Sequence, residues 1–248
     1  MTGTPDAPVY AIGDVHGQRA MLEDALALIE ADGGPGARIV FLGDYVDRGP
    51  DSRGVLELLV AGRAEGRDWI CLKGNHDQMA ARFLESEPRS PMRMRVGFHW
   101  LHERIGGRAT LASYAVRVGE DDVMGDVHAR ARAAVPAHHV AFLEALPLCH
   151  RQNGLFFVHA GIEPGVPLDE QNPDEMMWIR KPFTGDARAH PALIVHGHTA
   201  IPAARHHGNR VNLDSGAGHG GPLTAAVFEG TRCWELTRAG RRELRPTP

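Results

Sequence analysis

An α/β fold built on two sheets is what this sequence predicts, on three observations. Three times in the first 84 residues, a short apolar run ends in a glycine-bounded polar loop and a helical pattern follows at once. Such a repeat of strand, loop and helix implies a parallel sheet with right-handed crossovers. After Pro147 the pattern changes to a series of short strands, which predicts a second, mixed or antiparallel sheet. The chain has 248 residues, 43% of them hydrophobic, enough for a single domain over 1–248 with a sizeable core.

The elements follow in order. Val9 to Ile12 is the first apolar run, ending at Gly13-Asp14-Val15-His16-Gly17. Met21, Leu22, Ala25, Leu26, Leu28 and Ile29 then fall along one helical face, and the stretch Asp32 to Gly36 stops that helix. Ile39 to Leu42 is the second strand and leads into Gly43-Asp44-Tyr45-Val46-Asp47-Arg48-Gly49. Asp51 or Ser52 can cap the helix carrying Val55, Leu56, Leu58 and Leu59. Trp69 to Leu72 is the third strand, ending at Gly74-Asn75-His76-Asp77, and a helix is predicted from Gln78 to Leu84. Residues 87–136 are rich in Arg, Met and Gly with weak periodicity, and are read as a helical insertion or cap. A short amphipathic helix spans Pro136 to Leu146. The second sheet is assigned Leu148–Arg151, Leu155–Val158, Leu193–Val195, Arg210–Leu213, Thr224–Phe228 and Arg232–Leu236. A loop carries Met176 to Arg180, and the basic tail after Thr237 is read as frayed.

Bulk properties exclude several classes. The net charge of −4 offers no basic surplus, so neither nucleic acid nor an anionic membrane surface is an expected partner. No apolar run approaches the length of a membrane span. Residues 1–8 lack the basic and apolar regions of a secretory leader. Cys71, Cys149 and Cys233 are scattered without metal-site spacing and read as reduced residues of a cytoplasmic protein.

The chemistry gathers where strands stop. Asp14 and His16, Asp44 with Asp47 and Arg48, Asn75 and His76, His159, and His198 all stand at the ends of apolar runs. Ligands of open α/β sheets collect at the carboxyl ends of the strands, so these loops can converge. Carboxylates and imidazoles concentrated at such positions are costly unless they bind something. Oxygen and imidazole donors without thiolate suit manganese first, with iron or zinc as alternatives. Asp14 and His16, two residues apart on an extended exit, can face one ion. Asp44 has two oxygens and can bridge two, and the amide oxygen of Asn75 adds a ligand without charge.

These stretches resemble the three-part signature of the phosphoprotein phosphatase branch of the metallophosphoesterases. The match rests on Gly13–Gly17, Gly43–Gly49 and Gly74–Asp77, with His159 in His-Ala-Gly and His198 in Gly-His-Thr as the two later histidines. The resemblance runs from about Val9 to Phe228 and is weakest between Glu87 and Pro136. It implies a calcineurin-like two-sheet sandwich flanked by helices in αββα layers. It implies one divalent ion held by Asp14, His16 and Asp44, and a second by Asp44, Asn75, His159 and His198. A bridging water would attack phosphorus in line. His76 would protonate the leaving oxygen, Asp47 would orient His76, and Arg48 and Arg180 would clamp the phosphoryl oxygens. His196, one residue before Gly197, is left as a support behind the ligands or as strand-end filler, and Asp214 as a brace for its loop.

Three functions fit that resemblance: a serine/threonine protein phosphatase, a symmetrical dinucleoside tetraphosphate hydrolase, and a non-catalytic scaffold of the same fold. The scaffold is disfavoured because no ligand position is lost. Asp47, which supports an acid for poor leaving groups, places the phosphatase ahead of the tetraphosphatase. The expected substrate is then a phosphorylated protein or a small phosphoester, and the sequence leaves assembly open.

Overall fold

The computed structural model describes residues 7–90, 93–94 and 97–246. The leader reading of residues 1–8 therefore falls largely outside the described residues, as do four positions of the 87–136 segment.

Strands β1 (Val9–Ile12), β2 (Arg38–Phe41) and β3 (Trp69–Cys71) alternate with helices α1 (Arg19–Gly33), α2 (Ser52–Ala64) and α3 (Asn75–Leu84). Helices α4 (Gly107–Ser113), α5 (Met124–Ala134) and α6 (Ala137–Ala145) follow. Then come β4 (Cys149–Gln152), β5 (Leu155–Val158), α7 (Pro173–Trp178), β6 (Leu193–His196), β7 (Arg205–His206) and β8 (Arg210–Asn212). Strands β9 (Ala225–Glu229), β10 (Arg232–Thr237) and β11 (Gly240–Glu243) close the chain.

One sheet has the order β11-β10-β9-β1-β2-β3 and the other β4-β5-β6-β8-β7. Strands β1, β2 and β3 are parallel neighbours, as are β5, β6 and β8, so in each sheet the loops at the carboxyl ends share one edge. The sheets face each other through Val9, Ala11, Val40, Leu42, Phe157, Val195, Val211 and Phe228. The alternate residues Tyr10, Ile12, Ile39 and Phe41 turn outward under the helices. Phe156, Val158 and Ile194 turn the other way, onto Met176, Ile179 and Phe183. Burial on both faces explains why these strands are unbroken apolar runs rather than alternating ones. The layers are helix, sheet, sheet, and a thinner cover carrying α7, as the αββα expectation has it.

Four expectations are corrected. Residues 224–228 and 232–236 do not join the second sheet: β9 pairs antiparallel with β1, and β10 with β9, which makes the first sheet mixed. An apolar strand buried on both faces carries no local mark of which sheet receives it. The tail is not frayed, because β11 pairs with β10 and Arg241 is bound to Asp32 and Glu229. The loop assigned to Met176 includes a helix, α7, with Asn172 capping its first turn and Pro173 at the first helical position. The helix after β3 starts at Asn75, so His76 sits in its first turn rather than on a loop.

Candidate metal centre

Each predicted donor leaves the carboxyl end of a strand, and backbone contacts dock the loops on one another. Val15 N and His16 N, after β1, donate to the Asp44 carbonyl after β2 at 3.1 and 2.7 Å. Asp77 in the first turn of α3 gathers three more amides: Asp44 N and Gly74 N on Oδ2 at 2.8 and 2.9 Å, and Tyr45 N on Oδ1 at 2.9 Å. Gly74 and Gly197 are demanded by close approach. A Cβ at Gly74 would lie 2.1 Å from Asp44 Oδ1, and one at Gly197 would lie 1.9 Å from Asp14 Oδ1. His16, Asp44, Asp47, Arg48 and His198 all have φ between 46° and 76°, the left-handed region that side chains other than glycine rarely occupy. Strain of this kind persists only where surrounding contacts enforce it, and it concentrates at working sites.

Asp44 lies at the middle. Its Oδ1 accepts from His76 N at 2.9 Å. Its Oδ2 faces His16 Nε2 at 3.6 Å on one side and His159 Nε2 at 3.4 Å on the other. The hydrogen bonds made by the other ring nitrogens show what those Nε2 atoms offer. His16 Nδ1 donates to the Val46 carbonyl at 2.9 Å, and His159 Nδ1 donates to the Leu42 carbonyl at 2.8 Å. Both rings therefore present an Nε2 lone pair inward. His159 Nε2 also faces Asn75 Oδ1 at 3.0 Å. His198 Nε2 is buried without a protein partner. Lone pairs aimed at oxygens, beside an unpartnered buried imidazole, are an arrangement that a cation completes. Two groups, His16 with Asp44 and His76, and Asp44 with His159 and His198, bring their ligand atoms within 4.8 Å of one another. Asp14 joins them through His198 N, which donates to its two oxygens at 3.2 and 3.1 Å. The donor set is carboxylate, imidazole and amide oxygen, which fits manganese, iron or zinc.

Beside this cluster, His76 Nδ1 donates to Asp47 Oδ2 at 2.6 Å. Asp47 is wholly buried, and Trp100 Nε1 reaches both of its oxygens at 3.0 Å while Thr110 Oγ1 donates to Oδ1 at 2.7 Å. Arg48 donates from Nη1 to His16 Nε2 at 2.6 Å and from Nη2 to His76 Nε2 at 3.0 Å. A guanidinium on His16 Nε2 competes with an ion for the same lone pair, so the two are alternatives at that nitrogen.

Charge and burial act against each other here. Burial, reinforced by the charges of Asp214 and Asp44, lifts the Asp14 carboxyl well above its ordinary value. Burial pushes Asp44 the same way, but His159, His76, His16 and His198 outweigh it and hold that carboxyl below its ordinary value. Asp77 is pushed up to about 7 by burial and by the charge of Asp44, against the pull of its three amides. Burial lowers His16, His159 and His198, which favours the neutral imidazole that a metal ion requires.

Asp14, His16, Asp44, Asp47, Asn75, His76, His159 and His198 thus come together, with Arg48 among them. Arg180 is exposed just beyond α7, and its charge is felt at His198 and His219 without a direct bond to the cluster. His196 is buried against Phe183, and Asp214 Oδ1 accepts from Gly216 N at 2.9 Å, as a loop brace does. A separate group, Glu57 with His138 and His139, lies on α2 and α6, where His139 Nε2 is 3.1 Å from Glu57. Sequence reasoning missed three contributors: Asp77, Trp100 and Thr110. A tryptophan needs an acceptor for its N–H when buried, which was the available signal for Trp100.

The calcineurin-like phosphoesterase family model matches residues 7–221. An asymmetrical bis(5'-nucleosyl)-tetraphosphatase, PrpE, of Anoxybacillus flavithermus is 25% identical over 243 residues, covering 88% of this chain and 89% of that protein. A symmetrical bis(5'-nucleosyl)-tetraphosphatase of Methylococcus capsulatus is 35% identical over 156 residues, covering 63% of this chain and 44% of the relative's length. Among solved structures, a candidate diadenosine tetraphosphatase aligns with a TM-score of 0.66 at 24% identity, covering 94% of this chain and 95% of that one. A cold-active protein-tyrosine phosphatase of a Shewanella species aligns at 0.62 with 18% identity, covering 98% of this chain and 81% of the other. These two likenesses speak for the fold. With the two-sheet sandwich, the clustered histidines and carboxylates, and a family match over most of its length, the chain belongs to the calcineurin-like phosphoesterases.

Proposed function

We propose that this protein hydrolyses the phosphoanhydride chain of a dinucleoside polyphosphate with the help of two divalent ions. Asp14, His16 and Asp44 would hold one ion, and Asp44, Asn75, His159 and His198 the other. Manganese is the first assignment, with iron or zinc as alternatives. An ion pair of this kind neutralises phosphoryl charge and activates water. Arg48 and Arg180 supply planar donors to the phosphoryl oxygens. A bound phosphoryl group would draw the Arg48 donors away from the imidazoles and free His76 Nε2 to take up a proton from solvent, which the imidazolium would then give to the departing oxygen. Asp47 holds the opposite nitrogen of that ring in place.

One observation carries the substrate class. Arg48 opens onto a cavity of about 670 Å³ lined also by Arg104, Arg108, His219, Gly106, Gly218 and Glu103. Cationic side chains continuing away from the cluster suit a substrate with further phosphates beyond the one attacked. The tetraphosphatase names of the two relatives point the same way. This reverses the order in which the sequence alone ranks the substrates. A second reading, hydrolysis of a phosphomonoester on serine or threonine, has its own support. The 2.6 Å bond between His76 and Asp47 equips the site for a poor leaving group that needs a proton.

The test compares turnover of diadenosine tetraphosphate with that of a phosphoserine peptide in manganese. A kcat/KM at least ~10-fold higher for the dinucleotide is expected, and faster turnover of the peptide overturns the substrate class. Arg104→Ala should raise KM for the dinucleotide ~10-fold, the loss of one charge-assisted hydrogen bond, while leaving KM for p-nitrophenyl phosphate unchanged.

A further inference from the structure

The 87–136 segment, expected as a helical insertion or cap, makes several of its described contacts with Asp47. Trp100 is 4% exposed and places its indole N–H 3.0 Å from each Asp47 oxygen. Thr110, in α4, donates to Oδ1 at 2.7 Å and accepts from Asp47 N at 2.8 Å. Its oxygen also lies 3.1 Å from Ser52 Oγ, which accepts a second bond from Asp47 N. Gly106 O accepts from Arg48 N at 3.2 Å, so the next residue is held by the same segment. Asp47 Oδ2 thus receives Trp100 and His76, and Oδ1 receives Trp100 and Thr110. The backbone of Asp47 is itself left-handed, with φ 76°, and that conformation needs an external brace.

We propose that Trp100 and Thr110 are positioning residues for the proton donor: they fix the Asp47 carboxylate so that His76 presents Nε2 to the leaving oxygen. The inference rests on His76 acting as the acid. A carboxylate oxygen has room for several donors, and its orientation is set by which of them are present. With Thr110 and Trp100 in place, one geometry satisfies all bonds at once, and His76 is held at 2.6 Å. Without the hydroxyl, the carboxylate can rotate about its last torsion, and the imidazole follows it. The segment with the weakest periodicity in the chain thus becomes a structural part of the acid.

The experiment uses the metal-loaded enzyme and a series of aryl phosphates of graded leaving-group basicity. Thr110→Val keeps the shape and removes the hydroxyl, Thr110→Ser restores it, and Trp100→Phe keeps a ring against Phe83. Turnover of the most basic leaving group should fall ~10-fold in Thr110→Val and Trp100→Phe, part of the 10²–10⁴-fold that an acid provides. That of p-nitrophenyl phosphate, which leaves without a proton, should hold within ~2-fold. KM should not change, and Thr110→Ser should recover wild-type selectivity. A second readout needs no turnover. The downfield Nδ1–H proton resonance of His76, assigned by its loss in His76→Asn, should move in Thr110→Val and return in Thr110→Ser. His76→Asn separates the two ideas. If it shows no leaving-group selectivity, the acid assignment fails. If it does, while folded Thr110→Val slows all aryl phosphates equally or leaves the resonance in place, the positioning role is wrong.

Discussion

Asp77 holds three backbone amides that belong to two different loops, and no other side chain in the site does as much for the backbone. An amide in its place turns one acceptor into a donor that faces N–H groups. Asp77→Asn should therefore cost about 2–4 kcal/mol in urea unfolding, the usual penalty for breaking buried charge-assisted bonds. It should also lower the number of ions retained after desalting, because Asp44 loses the bond that sets its left-handed turn. A variant with unchanged midpoint and ion content would show that the loops hold themselves. At this scale the sequence was informative where a residue type is tied to a backbone requirement. Gly74 and Gly197 stand where any side chain would strike Asp44 or Asp14, and the donors beside them could be picked out from the same loops. Trp100 announces a need for an acceptor, but neither it nor Thr110 could be tied to Asp47, because they reach it from 53 and 63 residues away and nothing local to either position names that partner.

Helix α3 places Asn75, His76 and Asp77 in one turn, so the proposed metal donor, the proposed acid and the loop brace share a rigid unit. The sequence reading began that helix at Gln78 because polar residues obscured its periodicity. Helix α7 was missed although Asn172 and Pro173 are ordinary start signals, since six residues are too few to show a 3.6-residue repeat. Strand β11 was missed because its sequence, Gly-Arg-Arg-Glu, has no apolar face at all. Ion pairs hold it instead: Asp32, at the end of α1, accepts from Arg241 Nε and Nη2 at 2.8 Å each and from the Tyr10 hydroxyl at 2.7 Å. The Arg241 bonds, against a smaller opposing effect of burial, hold the Asp32 carboxyl below its ordinary value. A depressed carboxyl contributes fully above its unfolded pKa, ~3.9, and loses that contribution as pH falls through the lower folded value. Asp32→Asn should thus lower stability by about 0.5–1 kcal/mol at neutral pH, a modest figure because the pair is partly solvated. The gap to wild type should close in acid, below about pH 3, when both proteins are followed by denaturant unfolding. A gap that persists there would mean that packing, not charge, secures the strand.

Across the whole molecule, the candidate donors are drawn from both sheets. Asp14, His16, Asp44 and Asn75 follow β1, β2 and β3, while His159 and His198 follow β5 and β6. Away from this edge the inner faces of the two sheets meet through apolar packing, which is non-directional, with an Arg38–Gln152 hydrogen bond of 3.0 Å between β2 and β4 beside it. Ions held at this edge would therefore join the halves of the sandwich, and their removal should be felt by the entire fold rather than by one loop. Binding to the native state alone at a thousandfold excess over Kd stabilises by about 4 kcal/mol per ion. For a chain of this size each ion then corresponds to roughly 10 °C in Tm, so a chelator that strips both should lower Tm by roughly 20 °C, reversed by adding a divalent ion back. The same scan on Asp44→Asn discriminates the source. One oxygen of Asp44 faces imidazoles from both sheets, so its variant should already melt near the stripped value and respond little to chelator. If the wild type melts at the same temperature with and without chelator, the converging loops do not carry ions that link the sheets, and the lone pairs of His16 and His159 need another explanation.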